Sequence, residues 1–284
     1  MSRLSHVLAY LQYVYPKRFL SWFMMRWTRI RWPALRRFQI SSFVAVFNVD
    51  LTDALEPDLD AYPDFNTFFT RPLRADARPL PDDPSAVVAP ADGVVAGAGT
   101  LDEANAVQAK GQDYLIHTLL ARPATPAFHN GRYFTVYLSP RDYHRVHACI
   151  DGRLTAIEFV PGALFSVSIA ATQVIPRLFA RNERAVLWFD TAHGPHALVL
   201  VGAVCVGSIE TIWTGAMTPG EPAIHRFDTP IDVKRGQEVG RFNMGSTAIA
   251  VFPPAIALTP AWTGGQPIRM GETIASPDAA REPS

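Results

Sequence analysis

ALVLVGAVCVGSI (residues 197–209) and STAIAVF (246–252) decide the fold class. Both are short, uncharged runs rich in β-branched side chains and bounded by turn-forming residues, the pattern of strands. The same texture recurs outward from them in AVVAPADGVVAGAG (86–99), YFTVYLSP (133–140) and AVLWF (185–189). These runs predict an α+β protein with a β-rich, mainly antiparallel, sandwich- or barrel-like catalytic domain over residues 65–284. A helix is expected in ALFSVSIAATQVIPRLFA (163–180), where Pro176 would end or kink it. VKRGQEVG (233–240) and IRMGETIA (268–275) share one pattern and read as two strand–turn–strand units with glycine at the turn.

The chain has 284 residues, of which 48% are hydrophobic, enough to build a sizeable core. Its formal net charge is zero, so the total gives no reason to expect nucleic acid. The distribution is uneven, however. Arg3, Lys17, Arg18, Arg26, Arg29, Arg31, Arg36 and Arg37 precede the first acidic residue, Asp50. They are interleaved with Trp22, Phe23, Met24, Met25, Trp27, Ile30 and Trp32. Residues 1–64 therefore read as amphipathic helices lying on an anionic membrane, and the plainer alternative is a helical hairpin packed on its own domain. No stretch has the length and apolarity of a spanning helix, and Leu4 to Pro16 lacks the marks of a signal peptide. Cys149 and Cys205 are too few for a disulfide framework and lack the spacing of a zinc or redox pair.

Three segments offer chemistry. Gly245-Ser246 at a strand start could break itself: the serine hydroxyl attacks the glycine carbonyl, and elimination then leaves a ketone at the new N-terminus. By itself a Gly-Ser-Thr tripeptide is most often a turn. His144 and His147, in SPRDYHRVH (139–147), suit acid–base work near neutral pH, although structural roles or a metal shared with His117, His129, His193, His196 or His225 are open readings. Asp92, in PADGVV (90–95), could orient a histidine or simply sit in an Asp-Gly turn.

Taken together and in order, FNTFFTRPL (65–73), PADGVV (90–95), QAKGQDY (108–114), YLSPRDYHRVH (137–147), PGALFSV (161–167), LFARNERAVLWFDT (178–191), VLVGAVCVGSIET (199–211) and GQEVGRFNMGST (236–247) resemble the bacterial membrane-associated phosphatidylserine decarboxylases. The resemblance runs from about residue 48 to 253. It implies that cleavage between Gly245 and Ser246 leaves chains of 245 and 39 residues that stay together as a heterodimer, itself open to dimerisation, with Ser246 becoming a covalent pyruvoyl cofactor. It also implies that Asp92, His147 and Ser246 form the self-processing triad, with His147 as base, and that His144 serves decarboxylation, with no metal. The pyruvoyl group would form a Schiff base with phosphatidylserine, release CO2 and give phosphatidylethanolamine, at the cytoplasmic side of the cell membrane as a peripheral enzyme. One departure is Met244, where the family usually has leucine; the two side chains have similar volume and polarity. Two other readings remain at this point: a pyruvoyl enzyme acting on a soluble amino acid, and a non-catalytic membrane-binding β-domain.

Overall fold

Strands that are buried on both faces must be apolar at every position, and the chain's central strands are of this kind. The computed structural model describes residues 12–13, 16–101, 105–109, 112–122, 126–204, 208–217, 220–243, 246–259 and 261–278. In chain order its strands are β1 (Val87–Val88), β2 (Gly93–Thr100), β3 (Asn105–Ala109), β4 (Gln112–Leu115), β5 (Arg132–Leu138), β6 (Arg145–His147), β7 (Gly152–Val160), β8 (Arg184–Thr191) and β9 (Gly194–Val201). They continue with β10 (Ile209–Thr211), β11 (Gly215–Ala216), β12 (Ala223–Val233), β13 (Glu238–Phe242), β14 (Ser246–Phe252), β15 (Ile256–Leu258), β16 (Pro267–Ile268) and β17 (Thr273–Pro277).

Eight of them form one antiparallel sheet in the order β12-β7-β8-β9-β14-β5-β2-β16. A four-stranded sheet, β11-β10-β13-β6, and a three-stranded one, β1-β17-β15, accompany it. Period-two alternation divides the core. Ala248 and Ala250 of β14, with Leu198, Leu200, Ala185 and Leu187, face a layer completed by Val146, Val239 and Phe242 of the four-stranded sheet and Ile274 of the three-stranded one. Ile249 and Val251, with Val199, Val201 and Val186, face the opposite way, onto Leu119, Leu178 and Phe179 of short helices. All seven residues of β14 are buried, which explains why its sequence shows no polar alternation. The α+β, mainly antiparallel reading holds, with a sandwich of sheets on one side and a helical layer on the other.

Two expectations change in detail. The helix over 163–180 is two short ones, Ile169–Val174 and Leu178–Arg181, because Pro176 cannot continue the first and Arg177 turns the chain through a left-handed conformation, φ 53°. The two glycine turns are not hairpins. Gly236 and Gly271 do adopt positive φ, 77° and 89°, but β12 and β13 belong to different sheets, as do β16 and β17. Each turn hands the chain from the large sheet to a smaller one, and both pack against Leu80.

The amino-terminal part forms α1 (Lys17–Trp27) and α2 (Pro33–Phe47), followed by α3 (Phe65–Phe69). Pro33 at the first helical position suits the start of α2, and Asn48 ends it in the left-handed conformation, φ 51°. Ile40 and Phe43 of α2 pack on Tyr62, Phe65, Phe68 and Phe69. The outer surface stays apolar: Phe19, Trp22, Trp32, Phe38 and Val46 are all exposed, Trp32 by 67%. One face of these helices thus packs on the rest of the chain, as the hairpin reading expects, while apolar side chains on the other remain exposed. No helix among the described residues is long and apolar enough to cross a membrane.

Gly93, at the entry to β2, illustrates how tightly the large sheet closes beside Asp92. A Cβ there would lie 2.2 Å from the carbonyl oxygen of Tyr137, and its φ is 155°. Gly93→Ala is expected to cost about 1–3 kcal/mol through forced backbone shifts, measured as a lower urea midpoint in a chain that also carries Ser246→Ala, so that one covalent species is compared.

Candidate active site

Ser246 opens β14, where its partner across the strand pair is Leu138 of β5. The approach to it is pinned by Asn243, whose backbone N–H donates to Ser208 O at 3.1 Å and whose side-chain amide donates to Ser208 Oγ at 2.7 Å. Asn66 of α3 in turn donates to Asn243 Oδ1 at 3.0 Å, tying the helical region to this segment. The Ser246 side chain is fully buried, and its hydroxyl has no partner among the described residues. Gly245, the other half of the expected cleavage bond, lies outside the described residues, as do Met244, Cys205, Lys110, Gly111 and residues 1–11 with Arg3.

His144 immediately precedes β6, and its carbonyl accepts from Phe242 N–H at 3.0 Å, four residues before Ser246. The turn leading to it is built by Asp142, whose carboxylate accepts from the N–H and the hydroxyl of Ser139, each at 2.7 Å. His144 Nδ1 donates to the Asp142 carbonyl at 2.8 Å. Since a carbonyl can only accept, Nδ1 carries the hydrogen and Nε2 presents a lone pair. That nitrogen is buried without a partner among the described residues, and the ring lies 4.0 Å from the Phe69 ring, centroid to centroid. Burial pushes the imidazole down to about 3, helped by the nearby Arg71 charge.

His147 occupies a different environment. In β6 its neighbour Val146 enters the core, so His147 takes the opposite face of the strand, where it is still buried. Its Nδ1 donates to Gly236 O at 2.7 Å, and its Nε2 accepts from the Tyr143 hydroxyl at 3.0 Å. Burial lowers its pKa, offset in part by the Gly236 contact and by Glu238 and Asp92. Asp92 is close by, since His147 N–H donates to Pro90 O at 2.8 Å. The Asp92 carboxylate, however, accepts from Arg78 Nη2 at 2.5 Å, Arg78 Nε at 3.0 Å and Met270 N–H at 2.8 Å. Arg78, Met270, Tyr143 and His147 line a common cleft of about 500 Å³. The structure therefore places His147 in this cleft and Asp92 behind two of its lining residues, Arg78 and Met270, without a hydrogen bond between Asp92 and His147 among the described residues.

A family model described as phosphatidylserine decarboxylase matches residues 65–276, and a second, described as PSD, matches residues 2–48. The phosphatidylserine decarboxylase proenzyme of Bordetella avium is 49% identical over 256 residues, 87% of this chain and 86% of that one. Those of Methylococcus capsulatus (44% over 275 residues, 94% and 96% of the two chains) and Alkalilimnicola ehrlichii (45% over 256 residues, 87% and 88%) are similarly related. This chain belongs to the phosphatidylserine decarboxylase family. Its chemistry is that of a carboxy-lyase.

In this family member two further features surround His144. Arg71, at the end of the α3 turn, is 3% exposed and donates from Nη2 to Arg141 O at 3.2 Å, while Nε and Nη1 have no acceptor among the described residues. On the far side of Phe69 an apolar slot of about 490 Å³ runs between α1 and α2, lined by Trp27, Phe38, Phe43, Phe65, Phe69 and Pro140 among others. Neither feature was legible as a site. FNTFFTRPL stood out as a motif, yet nothing in it says that the arginine would be buried with donors to spare, a fact that depends on how α3 meets the 139–144 turn. The histidine left over for a structural role is His196, stacked on Phe252 with Nδ1 on Val251 O. Among the described residues no cluster of His, Cys, Asp and Glu could hold a metal.

Proposed function

We propose that this decarboxylase makes a pyruvoyl group from Ser246 by cutting its own chain after Gly245, that His144 handles the proton of the decarboxylation, and that Asp92 and His147 serve the self-cleavage. The observation that carries this reading is that Ser246 Oγ and His144 Nε2, on segments joined by the Phe242 N–H to His144 O bond, are both buried and without a partner among the described residues. A buried hydroxyl or imidazole nitrogen without a partner costs free energy, and such atoms persist where chemistry uses them. In self-cleavage the Ser246 hydroxyl attacks the Gly245 carbonyl and turns the peptide bond into an ester. For this step we assign His147 as base, its pKa lowered by burial, with Asp92 held close by through Arg78 and Met270. Elimination of the ester and hydrolysis by water, with release of ammonia, leave the ketone on a short chain that remains paired with the long one through the strands flanking β14.

The ketone supplies an electron sink for the bond that releases CO2. The protein supplies the rest. His144 Nε2, bearing a lone pair at neutral pH, takes the proton of the headgroup ammonium and later returns one to the carbon that lost CO2. Arg71 offers its uncommitted N–H groups beside His144 to an anionic headgroup. The apolar slot suits an acyl chain, and Phe69 connects it to His144. These features favour phosphatidylserine over free serine, and CO2 release from phosphatidylserine vesicles but not from serine at equal concentration is the expected result. Comparable turnover of both would remove the lipid from this reading.

We assign α1 and α2 to the surface of an anionic membrane, as a peripheral attachment on the cytoplasmic side. Exposed aromatic residues next to arginines support that assignment, each basic group near such a surface contributing about 1 kcal/mol. Replacing Trp22, Trp32 and Phe38 together with alanine is expected to reduce co-sedimentation with anionic vesicles at least about tenfold, since each replacement removes an aromatic anchor of the interface. Cleavage at Gly245-Ser246 should proceed unchanged on a denaturing gel; unaltered sedimentation would count against the membrane assignment.

A further inference from the structure

The Asn-Glu-Arg triplet at 182–184 places two structural residues around one that has no evident structural task. Asn182 is fully buried and uses its side chain on Phe165 N–H, Phe165 O and Gly202 O. Arg184 spreads its guanidinium over the carbonyls of Thr118, Leu119, Ala180 and Asn182. Glu183 between them is 3% exposed, and its carboxyl meets no hydrogen-bond donor or ion-pair partner among the described residues.

Its position relative to Ser246 follows from the register. Val201 of β9 faces Arg184 on one side and Thr247 on the other. One step along, Gly202 therefore lies between Glu183 and Ser246, and Gly202 N–H donates to Glu183 O at 2.9 Å. Alternation gives Glu183 the same face as Ala185 and Leu187, and Ser246 the same face as Ala248 and Ala250. Both side chains thus project to one side of the sheet with only a glycine hydrogen between them. A Cβ on Gly202 would lie 3.2 Å from Glu183 Cγ and 3.5 Å from its Oε1, so the carboxyl leans over the glycine. Opposed Cβ atoms on paired strands are about 4.5–5.5 Å apart, so Ser246 lies one strand spacing beyond the glycine over which the carboxyl leans.

Resting on the reading of Ser246 as the cleavage residue, we propose that Glu183 is the base that removes the Cα proton of Ser246 in the elimination step. Once the acyl group has moved to oxygen, Glu183 takes the Cα proton, the electrons of the Cα–H bond form the Cα–Cβ double bond as the Cβ–Oγ bond breaks, and Oγ leaves with its bonding pair as part of the Gly245 carboxylate, the proton remaining on Glu183. Desolvation raises the Glu183 carboxyl to about 7, against a partial opposing effect of Arg18, so its anion holds a proton far better than an ordinary carboxylate does. His144, held near 3, is the weaker base. Gly202 is required for the approach, since any side chain there would stand in the carboxyl's path.

The test is chemical trapping of the ester. Glu183→Gln, of nearly the same shape, is expected to cleave at least about a hundredfold more slowly than the unaltered chain, the scale of a lost general base. The ester should still form, so neutral hydroxylamine should split this variant into 245- and 39-residue pieces by intact mass. Should glutamine prevent folding, judged by a melting curve beside that of Ser246→Ala, Glu183→Asp keeps the acid on a shorter arm. It should then cleave at least about tenfold slowly, with hydroxylamine-sensitive ester present throughout. Cleavage at the unaltered rate overturns the proposal, and so does slow cleavage without a trappable ester. The Ser246→Ala chain distinguishes the underlying reading: hydroxylamine cutting it at the same place would show that no Ser246 ester is involved.

Discussion

Ser246→Ala is expected to yield a single 284-residue species on intact-mass analysis, with no carbonyl-reactive end and CO2 release from phosphatidylserine at background. The unaltered chain should give two fragments, the shorter with a blocked N-terminus that reacts with hydrazides. The expected loss is complete because one atom serves both events: Ser246 Oγ is the nucleophile of the cleavage, and Cα of the same residue becomes the ketone carbon. Thr247 is the one neighbour that could substitute, since its hydroxyl is also buried and without a partner among the described residues. Alternation excludes it, because Thr247 faces the side of the sheet occupied by Ile249 and Val251, away from Glu183 and Gly202. Thr247→Val should therefore cleave. A whole chain from Thr247→Val together with a cleaved one from Ser246→Ala would reverse the assignment, whereas Ser246→Ala has little reason to unfold the protein, the change being the loss of a hydroxyl that has no partner among the described residues.

The contrast between these two adjacent hydroxyls shows what could be read from sequence. That β14 is a strand was legible in STAIAVF; its full burial, found in the structure, accounts for the missing polar alternation. Which of its faces meets the catalytic layer was not legible, since both are apolar and only the positions of the small sheets and short helices distinguish them. The same limit applies to the two glycine turns. That each has glycine at a turn followed from sequence, but the sheet each flanking strand joins depends on contacts far along the chain. For the site, SPRDYHRVH and PADGVV marked His144, His147 and Asp92, while their partners came from tertiary structure. Asp92 spends its oxygens on Arg78 and Met270, residues 14 positions before it and 178 after. Glu183 lay within LFARNERAVLWFDT and acquired a candidate role only when the register placed it across Gly202 from Ser246.

His144→Gln is expected to separate the two reactions, leaving self-cleavage intact while decarboxylation falls by about 10²–10⁴, the range for loss of a positioned proton carrier. The sequence suggested a donor with an ordinary histidine pKa near 6.5; burial instead lowers it to about 3, so at neutral pH the folded chain holds a neutral ring with Nε2 bare. Glutamine can fill much of the space against Phe69 and bond the Asp142 carbonyl, but it cannot accept a proton at neutral pH. The pH curves provide an independent check. With the acid form populated only near 3, kcat/KM of the free enzyme should show no limb near 6.5 that disappears in His144→Gln. Stability carries the matching sign. The unfolded chain binds this proton at 6.5 and the folded one only near 3, so the contribution is full above 6.5 and is lost as the pH falls from 6.5 toward 3. A His144→Gln protein that fails to cleave, or that decarboxylates within about threefold of the unaltered enzyme, would take the proton transfer away from this residue, because a general acid or base in the reacting step contributes far more than that.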